Sequence, residues 1–106
     1  MPKFLIKASY TLEGVKGLRS AGGNSRRDAV AQAAESVGGT LEGFWFAFGD
    51  TDAFVVADLP DNEAAAALAL TVNSSGGATT ITVPLLTPEE VDAAAQRSVS
   101  YRAPGT

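Results

Sequence analysis

Residues 41–59, LEGFWFAFGDTDAFVVADL, constrain the fold more than any other part of the chain. Two apolar runs, residues 44–48 and 53–57, flank the tetrapeptide Gly49-Asp50-Thr51-Asp52. This pattern predicts a β-hairpin at the centre of a sheet. Successive residues of a strand point to opposite faces, so runs that are apolar at every position predict a sheet with a dry surface against both faces. A chain of 106 residues builds one core and has little left to cover a second face.

The composition is that of a globular domain, with 45% hydrophobic and 19% charged residues. A formal net charge of −4 argues against a general nucleic-acid binder, which needs a basic field. Cysteine and histidine are both absent. That excludes disulfides, thiolate metal sites, histidine-ligated haem and the Ser-His-Asp triad together. No run approaches the roughly 20 apolar residues that span a bilayer, and the charged N-terminal stretch does not read as a signal peptide. No membrane partner is therefore expected, and the expected location is cytoplasmic.

The periodicities predict six main elements. Lys3–Tyr10 alternates as a strand. Residues 11–24 carry Gly14, Gly17, Gly22 and Gly23 and read as a long loop with at most a short helical turn near residues 15–19. A helix over residues 25–37 follows, with Ser25 as N-cap, an apolar stripe through Ala29, Val30, Ala33, Ala34 and Val37, and Gly38-Gly39 as its left-handed stop. Strands over residues 40–48 and 53–58 form the hairpin. Asp61 caps an alanine-rich helix over residues 62–73 that ends at Gly76-Gly77. A Thr-rich strand over residues 78–86 contains Pro84, which suits a sheet edge. Thr87, Pro88 and Glu90 then start a short helix over residues 89–97. The order βαββαβ with a terminal helix predicts an α+β, ferredoxin-like fold: a four-stranded antiparallel sheet with two helices on one face. Residues 1–96 read as a single domain and residues 97–106 as a tail.

Two helices leave the other sheet face bare. Leu5, Leu41, Trp45, Ala47 and one parity set from residues 54–56 belong there, although which set meets the helices is not fixed by the pattern. An exposed apolar face of several hundred Å² is unusual for a monomer. The expectation is a homodimer through the open sheet face; the competing arrangement folds the terminal helix or tail back over it.

The residues resemble those of the GYD-domain family, small bacterial proteins within the dimeric α/β-barrel, ferredoxin-like set. The resemblance runs over about residues 3–95. Its carriers are Tyr10-Thr11-x-Glu13-Gly14-x-Lys16-Gly17, Arg26 and Arg27, Gly38-Gly39, Gly49-x-x-Asp52, Leu59-Pro60-Asp61, Gly76-Gly77 and Thr87-x-Glu89-Glu90. In the family signature, Gly-x-Tyr-Asp, tyrosine stands where this chain has Thr51. The resemblance implies the fold and a dimeric α/β barrel, but no particular activity.

Three groups of residues are candidate sites. Asp50 and Asp52 form a carboxylate pair, yet a turn explains the tetrapeptide more simply, and two acids do not enclose a hard cation. Residues 14–27 hold Lys16, Arg19, Arg26 and Arg27, half of the eight basic residues, and no acid. A glycine-rich loop running into a helix N-terminus can hold an anion, although no P-loop pattern is present. Tyr10 and Trp45 supply a phenol and a large aromatic for a pocket between sheet and helices or for an interface. The resulting candidate ligand residues are Tyr10, Thr11, Lys16, Arg26, Arg27 and Trp45. No catalytic residue, metal or cofactor is assigned. The function expected is a small binding or interaction module with a small anionic ligand near residues 11–27. The alternatives are a cofactor-free monooxygenase or isomerase, resting on fold analogy, with Tyr10, Trp45 and Asp52 to test, and a purely structural assembly protein.

Overall fold

The computed structural model describes residues 1–106 and contains one four-stranded antiparallel sheet with four helices. The elements are β1 (Lys3–Tyr10), α1 (Leu12–Ala21), α2 (Gly23–Ser36), β2 (Thr40–Phe46), β3 (Ala53–Asp58), α3 (Asn62–Ser75), β4 (Ala78–Leu85) and α4 (Pro88–Ala95). The strand order β2-β3-β1-β4, every neighbouring pair antiparallel, is that of a ferredoxin-like α+β sheet. The hairpin is not central: β3 is interior, but β2 is an edge, as is the Pro84-bearing β4.

Residues 11–24 are not a loop. They form the ten-residue α1 and the start of α2, joined at Gly22, whose φ of 91° is open to glycine. The signals for α1 are present in the sequence. The Thr11 Oγ accepts from the Gly14 N–H, Glu13 lies in the first turn and Arg19 in the last. Gly14 and Gly17 lower helix propensity, but Gly14 is needed for contact: a Cβ there would run into the Gly77 carbonyl. Gly22, not Ser25, is the residue that precedes α2.

The C-terminus of α2 is closed as the glycine pair predicts. The Gly39 N–H donates to Ala34 O at 2.9 Å and the Gly38 N–H to Glu35 O at 3.0 Å, with Gly38 at φ 86°. This is a Schellman arrangement. Asp61 caps α3 by accepting from the Ala64 N–H at 2.8 Å, and Gly76 ends that helix in the left-handed region. Thr87 and Glu90 form the reciprocal capping box of α4.

Register resolves which parity faces the helices. Phe4, Ile6, Ala8 and Tyr10 of β1 sit beside Ala57, Val55 and Ala53 of β3 and beside Ala78, Thr80 and Thr82 of β4. This set holds the buried residues Phe4, Ala8, Ala53, Val55, Ala57 and Ala78. In β2 a bulge at Glu42 shifts the register, so that both Leu41 and Phe44 fall on the helix side. Leu41 therefore does not belong to the open face. That face carries Leu5, Val56 and Val83 in one row and Trp45, Phe54, Lys7 and Ile81 in the next. At its border the Lys3 ammonium binds the carboxylates of Glu42 and, at 2.9 Å, Asp58. These partners, Glu42 before Asp58, raise the Lys3 pKa above its ordinary value.

Neither α4 nor the tail folds back over the open face. Every residue from 86 to 106 is exposed. The radius of gyration is 16.8 Å, against about 13 Å for a compact domain of this length.

The dense part of the core lies at one end of the sheet. Phe4, Ala34, Ala57, Leu59, Ala64 and Ala65 form a buried cluster, with Val37 and Leu68 packed against it. Gly39 sits where this cluster is tightest: an added Cβ would run into the Asp58 carbonyl and approach Leu59 Cδ2 at 2.7 Å. Gly39→Ala should therefore cost about 1–3 kcal/mol in urea unfolding. Gly49→Ala, at a position open to solvent with ordinary φ, should stay within about 0.5 kcal/mol of the parent.

Candidate functional site: a cavity between sheet and helices

Beyond the Leu59 cluster the helix layer and the sheet part company. A cavity of about 520 Å³ opens between them, within the range of small-molecule pockets. Its floor is the sheet, through Ile6, Ala8, Phe44, Val55, Thr80 and Thr82. Its walls are Ala29, Ala33 and Ala34 of α2, and Ala65, Leu68, Ala69 and Val72 of α3. One end is formed by Gly14, Gly17, Leu18 and Ala21 of α1. The hollow has a direct cause: alanine and glycine side chains are too short to fill the gap between a sheet and helices spaced by backbone and loop geometry.

Tyr10 and Arg26 lie in the same lining, with Ser25 and Gly22 beside Arg26. Burial pushes the Tyr10 phenol pKa above its ordinary value of about 10; the Arg26 charge opposes that shift and the Asp52 charge adds to it. Tyr10 is therefore a neutral O–H donor throughout the neutral range. The α2 N-terminus has no side-chain cap, so its first N–H groups remain available. Arg26 takes part in none of the chain's ion pairs, which use Lys3 and Arg27.

The other candidate residues lie elsewhere. The Thr11 hydroxyl caps α1 and donates to Gly76 O at 2.8 Å, a structural tie between α1 and the α3–β4 turn. Lys16 is exposed on α1 and is not part of the cavity lining. Arg27 pairs with Asp28 at 3.1 Å in a separate shallow groove along β2. Trp45 is not part of the cavity lining but borders the same shallow groove between α2 and β2 as Arg27. It is 61% exposed on the opposite sheet face, where its ring covers Gly43.

The hairpin tip is structural. Asp52 accepts the Tyr10 N–H at 2.8 Å, and its own N–H donates to Ala8 O at 2.9 Å, fastening the tip to the end of β1. The left-handed residue of the turn is Phe48, at φ 56°, rather than Gly49. Its ring stacks on Phe46 at 5.9 Å, a contact that offsets the conformational cost. Asp50 is exposed, and no cluster of acids has the geometry of a metal site.

Sequence reasoning did not find the α2 and α3 walls as site residues. Their signal was present as alanine at core-facing helical positions, but alanine in a helix is equally read as close packing. The cavity appears only when the gap between layers is known.

Sheet order, element order and a cavity under the helices define a ferredoxin-like α+β domain. Residues 4–95 match the GYD domain, and the chain belongs to the GYD-domain family. Comparison with curated proteins and with solved structures finds no match. No helix is long and apolar enough to cross a membrane.

The chain has two tyrosines, Tyr10 and Tyr101, and Tyr101 is 75% exposed. In Tyr101→Phe protein, absorbance at 295 nm should show the remaining phenol ionising above pH 10. A folded pKa above the unfolded one means that the unfolded chain loses this proton first, so stability should fall as pH rises beyond about 10. Tyr10→Phe should remove that part of the alkaline loss.

Proposed function

We propose that this protein is a homodimeric binding module that holds a small anionic ligand in the cavity between sheet and helices. The observation that carries the reading is the joining of Tyr10 and Arg26, a neutral hydroxyl and an unpaired guanidinium, in one largely apolar cavity. Such a lining suits a ligand better than a solvated loop would, because Coulomb and hydrogen-bond interactions strengthen where water is scarce.

The dimer rests on the open sheet face. Trp45 and Ile81 are each 61% exposed there, alongside Leu5, Phe54, Val56 and Val83. The terminal segment that could have covered the face is itself exposed along its whole length. Pairing the face with its own copy in an isologous contact would remove this surface from water. The α4 arm supports the same reading. An isolated helix of eight residues is marginal in water, so α4 needs a packing surface, and a second copy would bring one within reach.

A cofactor-free monooxygenase or isomerase would use the same cavity but would need a base inside it. No carboxylate lines the cavity, and Asp52 is committed to the Tyr10 amide. Binding therefore has the stronger support. A purely structural role accounts for the sheet face and leaves the cavity without a use.

Sedimentation velocity at micromolar concentration should give a dimer, and the double variant Trp45→Glu, Ile81→Glu should give a folded monomer; a parent monomer would remove the dimer from this reading. In a thermal-shift screen of small carboxylates, stabilising compounds should raise Tm by several degrees near saturation. That shift should vanish in Arg26→Ala and persist in Lys16→Ala, since Lys16 stands outside the cavity.

A further inference from the structure

The cavity is large, apolar and singly charged. Of its 27 lining residues 17 are hydrophobic, and among the rest Arg26 is the one formally charged side chain at neutral pH; no Asp, Glu or Lys is among them. Much of the remaining polarity is already spent. The Thr71 and Ser75 hydroxyls donate to carbonyls of their own helix, and the Thr80 hydroxyl accepts from Asn73. Tyr10, Arg26 and Ser25 keep free hydrogen-bonding capacity, as do the Thr82 hydroxyl and the Thr80 O–H on the sheet floor, and the alanine-lined helix walls offer only apolar contact.

Resting on the binding role above, we propose that the occupant is an apolar organic monoanion: one carboxylate at Arg26 and Tyr10, with an aliphatic or aromatic body lying along the alanine walls toward Val55 and Leu68.

Three features select this class. A neutral apolar molecule would fill the body of the cavity but leave the guanidinium without a partner as water is displaced. A dianion such as phosphate would bring a second charge into a lining that holds one cation, and would leave the apolar walls uncovered. A carboxylate matches the forked donors of arginine and accepts a third hydrogen bond from a phenol that stays protonated at neutral pH. The body is set by volume: about 520 Å³ exceeds the needs of a simple ion and suits a molecule with a substantial hydrocarbon part.

Titration calorimetry on the purified full chain tests this with octanoate and 2-naphthoate, each against its neutral amide, and with inorganic phosphate as an anion without a body. Each carboxylate that fits should bind at least tenfold more tightly than its amide, and phosphate should not compete. The octanoate and naphthoate arms distinguish an acyl chain from an aromatic body. Arg26→Gln should abolish the difference between acid and amide while leaving amide binding in place, and Tyr10→Phe should weaken the acid several-fold. Ala33→Leu combined with Ala69→Leu, shown to fold by circular dichroism, should weaken acid and amide alike by filling the space for the body. Equal affinity for acid and amide, or phosphate binding as well as the carboxylates, overturns this inference and leaves the binding role standing. Absence of binding by every probe to folded parent protein overturns both.

Discussion

The packing of Leu59 against Phe4, Ala34, Ala57 and Ala65 is the contact on which the rest of the structure depends. Leu59 is fully buried, and burying a leucine side chain stabilises a domain by about 1.5–3 kcal/mol. It sits just after β3 and just before the Asp61 cap of α3, so the same residue fixes the end of the sheet and the start of a helix. Gly39 closes the cluster from the α2 side, where only a residue without a side chain fits. Both main helices are thereby clamped to the sheet at one end.

The clamp shapes what happens at the other end. There α1 is inserted beside α2, tied down by the Thr11 bonds to Gly76 and Gly77. The helices facing this half of the sheet present alanines, which cannot span the remaining gap. A well-packed end and a hollow end thus coexist in one small domain, and the hollow end is where Tyr10 and Arg26 meet. The same division separates apolar from polar side chains: the Leu59 cluster contains no polar side chain, whereas the cavity lining includes Tyr10, Ser25 and Arg26.

Much of the framework could be read from local patterns. The Asp61 and Thr87 caps, the Gly38-Gly39 stop and the alternation of β1 each follow from interactions within a few residues, and each stands as expected. The α1 segment did not follow, because its glycines outweighed the Thr11 cap in any local reading. Gly14 is explained by the Gly77 carbonyl it approaches, 63 residues away along the chain. Among the candidate site residues, Tyr10 and Arg26 share the cavity, whereas Arg27, adjacent to Arg26, lies on the other side of α2 and pairs with Asp28. One step along a helix turns a side chain by about 100°, so adjacency in sequence separates such residues in space.

The sequence by itself determined the order of the four strands, every helix but α1, the α+β class, the absence of histidine and cysteine chemistry, and a hairpin apolar on both faces. Only the tertiary structure decided which of those faces meets the helices, and that Trp45 stands on the open side. Strands apolar at every position carry no parity signal, so the choice falls to register and to the single extra residue at Glu42, which brings Leu41 and Phe44 to the same side. The cavity was likewise decided in three dimensions. Its volume is a difference between layer spacing and side-chain length, and the spacing is set by contacts at the Leu59 end of the sheet.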